Sequence, residues 1–208
     1  MDEGLLFPLF SSLVISYDLE YNFNIFNYVK NECEFKNSGH SKSEITTDTN
    51  IFNNFFEEKQ YIMNHFNNFK DNILHYESIE FDMTTSWGTK INNNGYIQTH
   101  NHSNSFYSGI LYLDDVDYDN GGKLQFSTVG LYPQSFSLNS PSEFTIWNSR
   151  MWYIKPKKNR LILFPSYLYH NVELYTGNLP RYSIAFNIFM TKPFGCADSY
   201  LNISINKN

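Results

Sequence analysis

The stretch 100-HNHSNSFYSGILYL-113 places two histidines, one residue apart, shortly before a run of aromatic and aliphatic residues. The run at 107–113 predicts a β-strand, because aromatic and branched side chains dominate it. Alternate side chains of an extended segment share a face, so His100 and His102 are expected to point the same way. The stretch therefore predicts a strand that follows a pair of adjacent imidazoles.

Similar short runs flank this stretch on both sides and alternate with turn signals. The turn signals are Asn93-Asn94-Gly95, Asn120-Gly121-Gly122 and Asn139-Ser140-Pro141. The runs between them predict strands at 81–91, 96–100, 123–127, 152–154, 160–165, 170–174 and 181–190. Many short strands after a helical segment are typical of a sandwich or jelly roll with helices packed outside.

The helical segment occupies the N-terminal third of the chain. Apolar residues recur at helical spacing in residues 22–33 and again over about residues 51–76. Asp48 or Asn50 is expected to cap the second helix. The polar residues 34–50 between the two helices predict a loop that could lie over a site.

We expect one domain over residues 1–208, because no linker or internal repeat divides the chain. Residues 1–80 supply an extended segment and supporting helices. Residues 81–192 supply the β core, and residues 193–208 form a C-terminal tail.

The composition argues against several classes of protein. The net charge is −6 and no basic face is evident, so no nucleic-acid partner is expected. No apolar window approaches the length of a membrane span, and the acidic start is unlike a secretory signal. Cys33 and Cys196 are too few for a disulfide framework. We therefore expect a cytoplasmic protein, in the host cell if the source is viral, with no membrane partner and an open oligomeric state.

Three histidines form the candidate metal site. His170 begins a later predicted strand that can lie beside His100 and His102. Imidazole is the commonest transition-metal ligand, and three ligands on one octahedral face leave positions open for a chelating acid and dioxygen. Taken alone, a His-x-His pair is explained equally well by surface exposure or by hydrogen bonding in the core.

Four stretches around the histidines form a longer pattern. In order, they are Ser86-Trp87 with Gly95-Tyr96 before His100, Ser108-Gly109-Ile110-Leu111-Tyr112-Leu113 with Gly121-Gly122-Lys123-Leu124-Gln125-Phe126, Leu163-Phe164-Pro165-Ser166 before His170, and Arg181-Tyr182-Ser183 eleven residues beyond His170.

With this pattern the chain, over about residues 85–190, resembles the 2-oxoglutarate- and iron(II)-dependent oxygenases. It is similar to the prolyl-hydroxylase-like branch, and within it to uncharacterised members from phages and marine bacteria. The resemblance implies a mainly β protein with N-terminal helices, built on a double-stranded β-helix (a cupin-like jelly roll). It also implies iron(II) as the metal, 2-oxoglutarate as cosubstrate, and His100, His102 and His170 as metal ligands and catalytic residues.

One position departs from the family pattern. Most of the superfamily has an acidic residue where this chain has His102. Asp114 and Asp115 follow at the far end of the next strand, about 25 Å along an extended chain, so we do not expect them to replace it. A three-histidine site would keep the full charge of the metal until 2-oxoglutarate binds, and it could admit zinc in place of iron.

The resemblance also implies a site for the second carboxylate of 2-oxoglutarate. Arg181 and Ser183 share one face of a predicted strand, and the planar fork of an arginine pairs with both oxygens of a carboxylate. Tyr112 matches a family tyrosine that donates to the same group, and Asn187 lies later on the face of Arg181. A surface ion pair for Arg181 and simple core packing for Tyr112 are the alternatives.

The substrate is poorly specified by the sequence. Five residues are candidates for its pocket: Trp87, Tyr96, Gln98, Tyr107 and Trp147. For Phe164-Pro165-Ser166 we expect a structural role, as a turn that directs His170. By analogy alone, the substrate is a small molecule or a peptidyl, for instance prolyl, group.

The expected reaction is hydroxylation of a C–H bond, with decarboxylation of 2-oxoglutarate to succinate. Two alternatives remain at this point. One is a cupin-type three-histidine enzyme that does not use 2-oxoglutarate, including a zinc hydrolase. The other is a non-catalytic jelly-roll binding module with a structural metal, which would require a fourth protein ligand.

Overall fold

The computed structural model describes residues 11–127 and 142–203, so the predicted turn at Asn139-Ser140-Pro141 lies outside the described residues. In chain order its elements are β1 Ile15–Asp18, α1 Ile25–Asn31, β2 Phe35–Asn37, β3 Ser43–Thr46, α2 Phe56–Asn72, β4 Phe81–Ile91, β5 Gly95–His100, β6 Tyr107–Tyr112, β7 Leu124–Ser127, β8 Met151–Ile154, β9 Arg160–Pro165, β10 His170–Tyr175 and β11 Arg181–Met190. Short 3-10 helices lie at Ile51–Asn54, Tyr118–Asn120 and Ala197–Ser199.

The strands form two antiparallel sheets. The larger has the order β1-β9-β6-β11-β4-β3-β2 and the smaller has the order β5-β10-β7-β8. The predicted strands are confirmed: β4, β9 and β11 have the predicted bounds, and the others agree to within one residue. A mainly β protein with N-terminal helices is therefore confirmed.

The larger sheet has two faces of different character. On β11, Ile184, Phe186 and Ile188 are fully buried in the core that the sheet forms with α1 and α2. Burying each such side chain contributes about 1.5–3 kcal/mol, so this face attaches the helices. The alternate residues Arg181 and Ser183 line a cavity between the two sheets, as the pleat of a strand requires.

Residues 34–50 were expected to form a loop, and this expectation was wrong. The strands β2 and β3 form a hairpin there, and β3 adds to the larger sheet by pairing with β4. The sequence Ser-Glu-Ile-Thr of β3 has one apolar residue, so it carries no hydrophobic alternation that would reveal a strand. The hairpin nevertheless lies over the cavity, as the loop was expected to do.

The helices are shorter than predicted, and their caps differ. The second helical segment divides at Phe55 into a 3-10 turn and α2, and α2 ends at Asn72 rather than near residue 76. Neither Asp48 nor Asn50 caps α2: the Asp48 carboxylate accepts the backbone N–H of Asn50 instead. The backbone of Asn50 also forms an isolated β-bridge with Ser86 of β4.

The start of α1 is capped by a side chain from α2. The buried Glu58 carboxylate accepts the backbone N–H groups of Asn24, at 2.6 Å, and of Ile25, at 3.2 Å. These are among the N–H groups that have no partner inside a helix. The contact joins residues 33 and 34 positions apart, which is why no local capping pattern announces it.

Two further features concern the thiols and the helices. Cys33 and Cys196 are both free thiols. Across residues 11–127 and 142–203, no helix combines the length and apolarity needed to cross a bilayer.

Replacing Glu58 by Ala should lower the free energy of unfolding by about 1–3 kcal/mol, because two buried N–H groups would lose their acceptor. Glu58→Gln, which keeps one carbonyl oxygen, should have a free energy of unfolding between those of the wild type and Glu58→Ala. Urea unfolding followed by circular dichroism measures the effect. Exposed Glu57→Ala is the matched control and should unfold with the wild type. Equal unfolding midpoints for Glu58→Ala and Glu57→Ala would contradict the capping role.

Candidate functional site

A cavity of about 270 Å³ lies between the two sheets. The smaller sheet contributes His100 of β5 and His170 of β10, which pair directly across the two strands. The larger sheet contributes Arg181 and Ser183 of β11 and Tyr112 of β6. The structure thus brings residues that are far apart in the sequence to the walls of one enclosed space.

The three predicted histidines meet in this cavity. Their ligand atoms all lie within 4.8 Å of one another, and no other such group of three or more His, Cys, Asp or Glu occurs in the described part of the chain. Two nitrogens bound to one ion at about 2.1 Å lie about 3–4 Å apart, so small ring rotations would close the set around a metal. His100, His102 and His170 could therefore hold one divalent ion.

Hydrogen bonds fix the tautomer of two of these rings. Nδ1 of His100 donates to the carbonyl oxygen of Gln98 at 2.8 Å, and Nδ1 of His170 donates to that of Leu168 at 2.9 Å. In the neutral rings Nε2 then carries the lone pair, the arrangement in which a second contact orients a metal ligand. Leu168 belongs to the turn after Pro165, so this turn directs His170 as expected.

Burial keeps two of the imidazoles uncharged. It lowers the pKa of His170 to about 3, with a further contribution from His100. It lowers the pKa of His102 to about 4, again with a contribution from His100. Neutral imidazole is the form that binds a metal, so both rings are ready to bind across the physiological pH range.

The two acidic residues that follow the motif have other partners. Asp114 forms an ion pair with Lys30 and accepts the backbone N–H of Tyr182 at 2.9 Å. Asp115 accepts the backbone N–H of Lys158 at 3.0 Å. Neither lines the cavity, as we expected, so no carboxylate takes the place of His102 in the described residues.

Arg181 is buried, and no acidic side chain of the described residues forms an ion pair with it. Its side chain is 2% exposed, and neither Nε nor Nη1 has a hydrogen-bond partner. The guanidinium carbon lies 5.4 Å from the centre of the Tyr112 ring, whose hydroxyl is also buried and unpaired. Burial lowers the pKa of Arg181 and raises the pKa of Tyr112, but arginine stays charged in proteins.

A bound anion would stabilise the buried Arg181 guanidinium and the Tyr112 hydroxyl. An isolated buried cation costs several kcal/mol, and so do its unmade hydrogen bonds. Gly122 makes room beside the guanidinium, because a Cβ at that position would lie 3.2 Å from Nε of Arg181. A carboxylate bound between Arg181 and Tyr112 would satisfy both.

The remaining cosubstrate candidates differ in position. Ser183 is buried, lines the cavity and pairs with Tyr112 across the strands. Asn187 does not line the cavity. Its amide accepts from Ser108 at 2.9 Å and donates to Thr85 at 3.1 Å, so it lies behind the wall that Ser108 forms.

Of the five candidate substrate residues, Trp87 lines the cavity, with its ring 5.9 Å from that of His102. Tyr107 instead packs in the core beneath the helices. Tyr96, Gln98 and Trp147 are exposed and lie outside the cavity wall. Sequence reasoning missed His40 and Ser43 on the β2–β3 hairpin, which both line the cavity. The one sequence signal that could have pointed to them was His40, a histidine within an otherwise polar segment.

Residues 85–187, about half of the chain, match the family model described as "Putative 2OG-Fe(II) oxygenase". No curated protein matches the sequence of this chain.

Several solved structures share the fold at low sequence identity. HygX from Streptomyces hygroscopicus, with nickel, 2-oxoglutarate and hygromycin B bound, is 10% identical with a TM-score of 0.55, covering 84% of this chain and 82% of its own. A prolyl-4-hydroxylase from Pseudomonas putida is 14% identical with a TM-score of 0.54, covering 84% and 91%. A prolyl hydroxylase from Trichoplax adhaerens in complex with a peptide is 14% identical with a TM-score of 0.57, covering 85% and 83%.

The buried histidines predict a specific loss of stability in acid for the metal-free protein. The unfolded pKa of histidine is about 6.5 and the folded pKa of His170 is about 3. The unfolded chain therefore binds more protons between these values, and stability falls as the pH drops below 6.5. For His170 the expected loss between pH 7.5 and pH 5.0 is about 2 kcal/mol.

Urea unfolding of chelator-treated protein at the two pH values checks this. His170→Gln should lose about 2 kcal/mol less than the wild type over the interval. Exposed His75→Gln is the control and should lose as much as the wild type. The same loss in both variants would show that His170 is not held neutral.

Proposed function

This chain belongs to the 2-oxoglutarate- and iron(II)-dependent oxygenases, and we propose that its three cavity histidines hold the iron while Arg181 holds the cosubstrate. The observation that carries the proposal is the presence of two groups of binding residues in one cavity. Three histidine ligand atoms lie within 4.8 Å of one another, and a buried guanidinium lies in the same cavity with Nε and Nη1 unpaired among the described residues. The two carboxylates of 2-oxoglutarate, one on the metal and one on Arg181, would engage both groups.

Each residue has a defined role in this proposal. His100, His102 and His170 would hold the metal through their nitrogen lone pairs. Arg181 forms a bidentate pair with the distal carboxylate, and the hydroxyls of Tyr112 and Ser183 donate to the same group. Asn187 acts from behind by holding Ser108, which lines the cavity.

When bound, iron(II) and 2-oxoglutarate would supply the chemistry, which is oxidative decarboxylation of 2-oxoglutarate to succinate with hydroxylation of a C–H bond of the substrate. The residues of this chain position the reactants and exclude water. Leu124, Phe164 and Val172 are apolar cavity walls, and they strengthen the electrostatic contact of Arg181 by keeping it dry.

The charge of the site follows from the ligands proposed for it. Three neutral imidazoles would leave the metal with its +2 charge, and the metal-bound carboxylate of 2-oxoglutarate would lower this to about +1. The distal carboxylate would pair with the guanidinium of Arg181. The metal centre would therefore keep about one positive charge, which an acidic residue at position 102 would have neutralised.

We extend the proposal to the architecture. The two facing sheets form a double-stranded β-helix, and residues 1–208 act as one cytoplasmic domain with the helices behind the larger sheet. A structural-metal binding module would need a fourth protein ligand, and the described residues offer three. A peptidyl or prolyl substrate is supported by analogy alone.

Arg181→Ala should weaken 2-oxoglutarate binding by about a hundredfold or more, because loss of one partner from a buried charged pair costs about 3–5 kcal/mol. Arg181→Lys should recover part of this affinity, since a point charge cannot copy the fork. Calorimetric titration of 2-oxoglutarate into the anaerobic iron(II) protein measures both. Arg160→Ala, at the partly exposed pair with Asp18, is the control and should bind normally. Unchanged affinity in Arg181→Ala would refute the cosubstrate site.

The metal site is tested separately. Changing both His100 and His170 to Ala should abolish tight iron(II) binding, measured by anaerobic competition with a chelating dye. His102→Asp should retain it, because this change gives two histidines and a carboxylate, a common iron-binding set. Iron(II) bound equally well by the double variant would place the metal elsewhere, and loss of binding in His102→Asp would contradict the proposed geometry.

A further inference from the structure

The β2–β3 hairpin forms a fixed wall of the cavity. Its turn is joined to the neighbouring strands by two backbone bonds: Asn92 N–H donates to the carbonyl of Lys42 and Tyr96 N–H donates to that of Ser41, both at 3.0 Å. The hairpin thereby connects β4 of the larger sheet with β5 of the smaller one. Its cavity-facing residues are therefore held in place before any ligand binds.

Ser43 presents an unused hydroxyl on this wall. The residue is 1% exposed, lines the cavity, and its Oγ has no hydrogen-bond partner in the part of the chain that the structure describes. Leaving a buried hydroxyl unpaired costs about 1–3 kcal/mol, so its natural partner is a ligand. Ser43 lies on β3, two strands from Arg181 on β11, and so it stands apart from the proposed carboxylate site.

His40 presents a second donor on the same wall. Its Nδ1 accepts a long hydrogen bond, 3.4 Å, from the backbone N–H of Gln98. The neutral ring must then carry its proton on Nε2, which makes that atom a donor. The His40 ring centre lies 5.8 Å from that of His100, so this donor is next to the metal cluster.

The wall carries no charge of its own. Arg181 is the one permanently charged side chain among the described residues that line the cavity, and 2-oxoglutarate neutralises it. Ile45 and Trp87 add apolar surface beside the two donors. An ionic substrate group would find no side chain of opposite charge on this wall, whereas a neutral group with an acceptor oxygen fits its two donors.

We propose that the hairpin is the substrate-recognition wall, and that Ser43 and His40 donate hydrogen bonds to a carbonyl oxygen of an uncharged substrate. A carbonyl oxygen has two lone pairs and can accept from both donors. The proposal rests on the proposed function for the meaning of "substrate", and it makes His40 and Ser43 specificity-determining residues.

The test uses three probes with one carbon skeleton: pentanamide, pentanoate and pentylamine. Each is titrated by saturation-transfer NMR into zinc-substituted protein saturated with 2-oxoglutarate. We expect pentanamide to bind at least tenfold more tightly than either charged probe. Ser43→Ala and His40→Ala should each weaken pentanamide binding about tenfold, the loss of one hydrogen bond. His40→Gln, which keeps a neutral donor, should stay within about threefold of the wild type.

Ser41→Ala, on the same turn but outside the cavity lining, is the matched control and should bind pentanamide normally. All variants should bind 2-oxoglutarate within about twofold of the wild type, which also reports that they fold. The proposal is overturned if pentanamide fails to bind or shows no preference, or if Ser43→Ala and His40→Ala bind it like the wild type. It is also overturned if Ser43→Ala weakens 2-oxoglutarate instead. Failure of 2-oxoglutarate to bind the wild type would refute the proposed function, and pentanamide titration of the zinc protein alone would then still decide the role of the wall.

Discussion

The site depends on one buried positive charge, that of Arg181, which has no ion-pair partner among the described residues. Arg181 extends from the central strand of the larger sheet into a cavity where Nε and Nη1 find no acceptor. Burial of this charge lowers the free energy of unfolding, and packing elsewhere in the fold has to offset that loss. The dense aromatic core behind the sheet supplies that stability, with Phe66 and Phe186 fully buried. In the proposed function, binding of 2-oxoglutarate at Arg181 would raise the free energy of unfolding, because a ligand that binds the folded state alone stabilises it.

The strand β11 contributes side chains both to the core beneath the helices and to the cavity. Its pleat sends Ile184, Phe186 and Ile188 to the helices and Arg181 with Ser183 to the cavity. A shift of one residue in register would exchange the two sets, burying the charge under the helices. Pairing on both sides, with β4 and β6, fixes this register. The function of the site therefore depends on the same hydrogen bonds that hold the sheet together.

Elements that have a local sequence pattern were predicted, and elements that depend on contacts with residues distant in the sequence were missed. The strands were predictable because short apolar and aromatic runs stood between clear turn signals. The histidines and Arg181 could be proposed because their spacing and flanking motifs resemble a known family pattern, although His102 lies beyond the end of β5. The β2–β3 hairpin could not, because β3 is stabilised by pairing with β4 and carries a single apolar residue. Likewise, the cap of α1 comes from Glu58 of α2. The sequence around α1 gives no sign of this partner, which is 34 positions away from Asn24. The placement of His40 beside His100 follows from that same unpredicted hairpin.

The different depths of the cavity groups impose an order on events. Arg181 and Tyr112 are almost completely buried, whereas His100 lies only partly buried beside the hairpin. In the proposed function, the partly exposed His100 and His102 lie on the solvent side of Arg181. A substrate bound beside them would block the path of 2-oxoglutarate, so 2-oxoglutarate would bind first. Succinate would then leave last. Steady-state kinetics should therefore be compulsory-ordered, and an excess of the second reactant should slow turnover by closing the cavity before it is loaded.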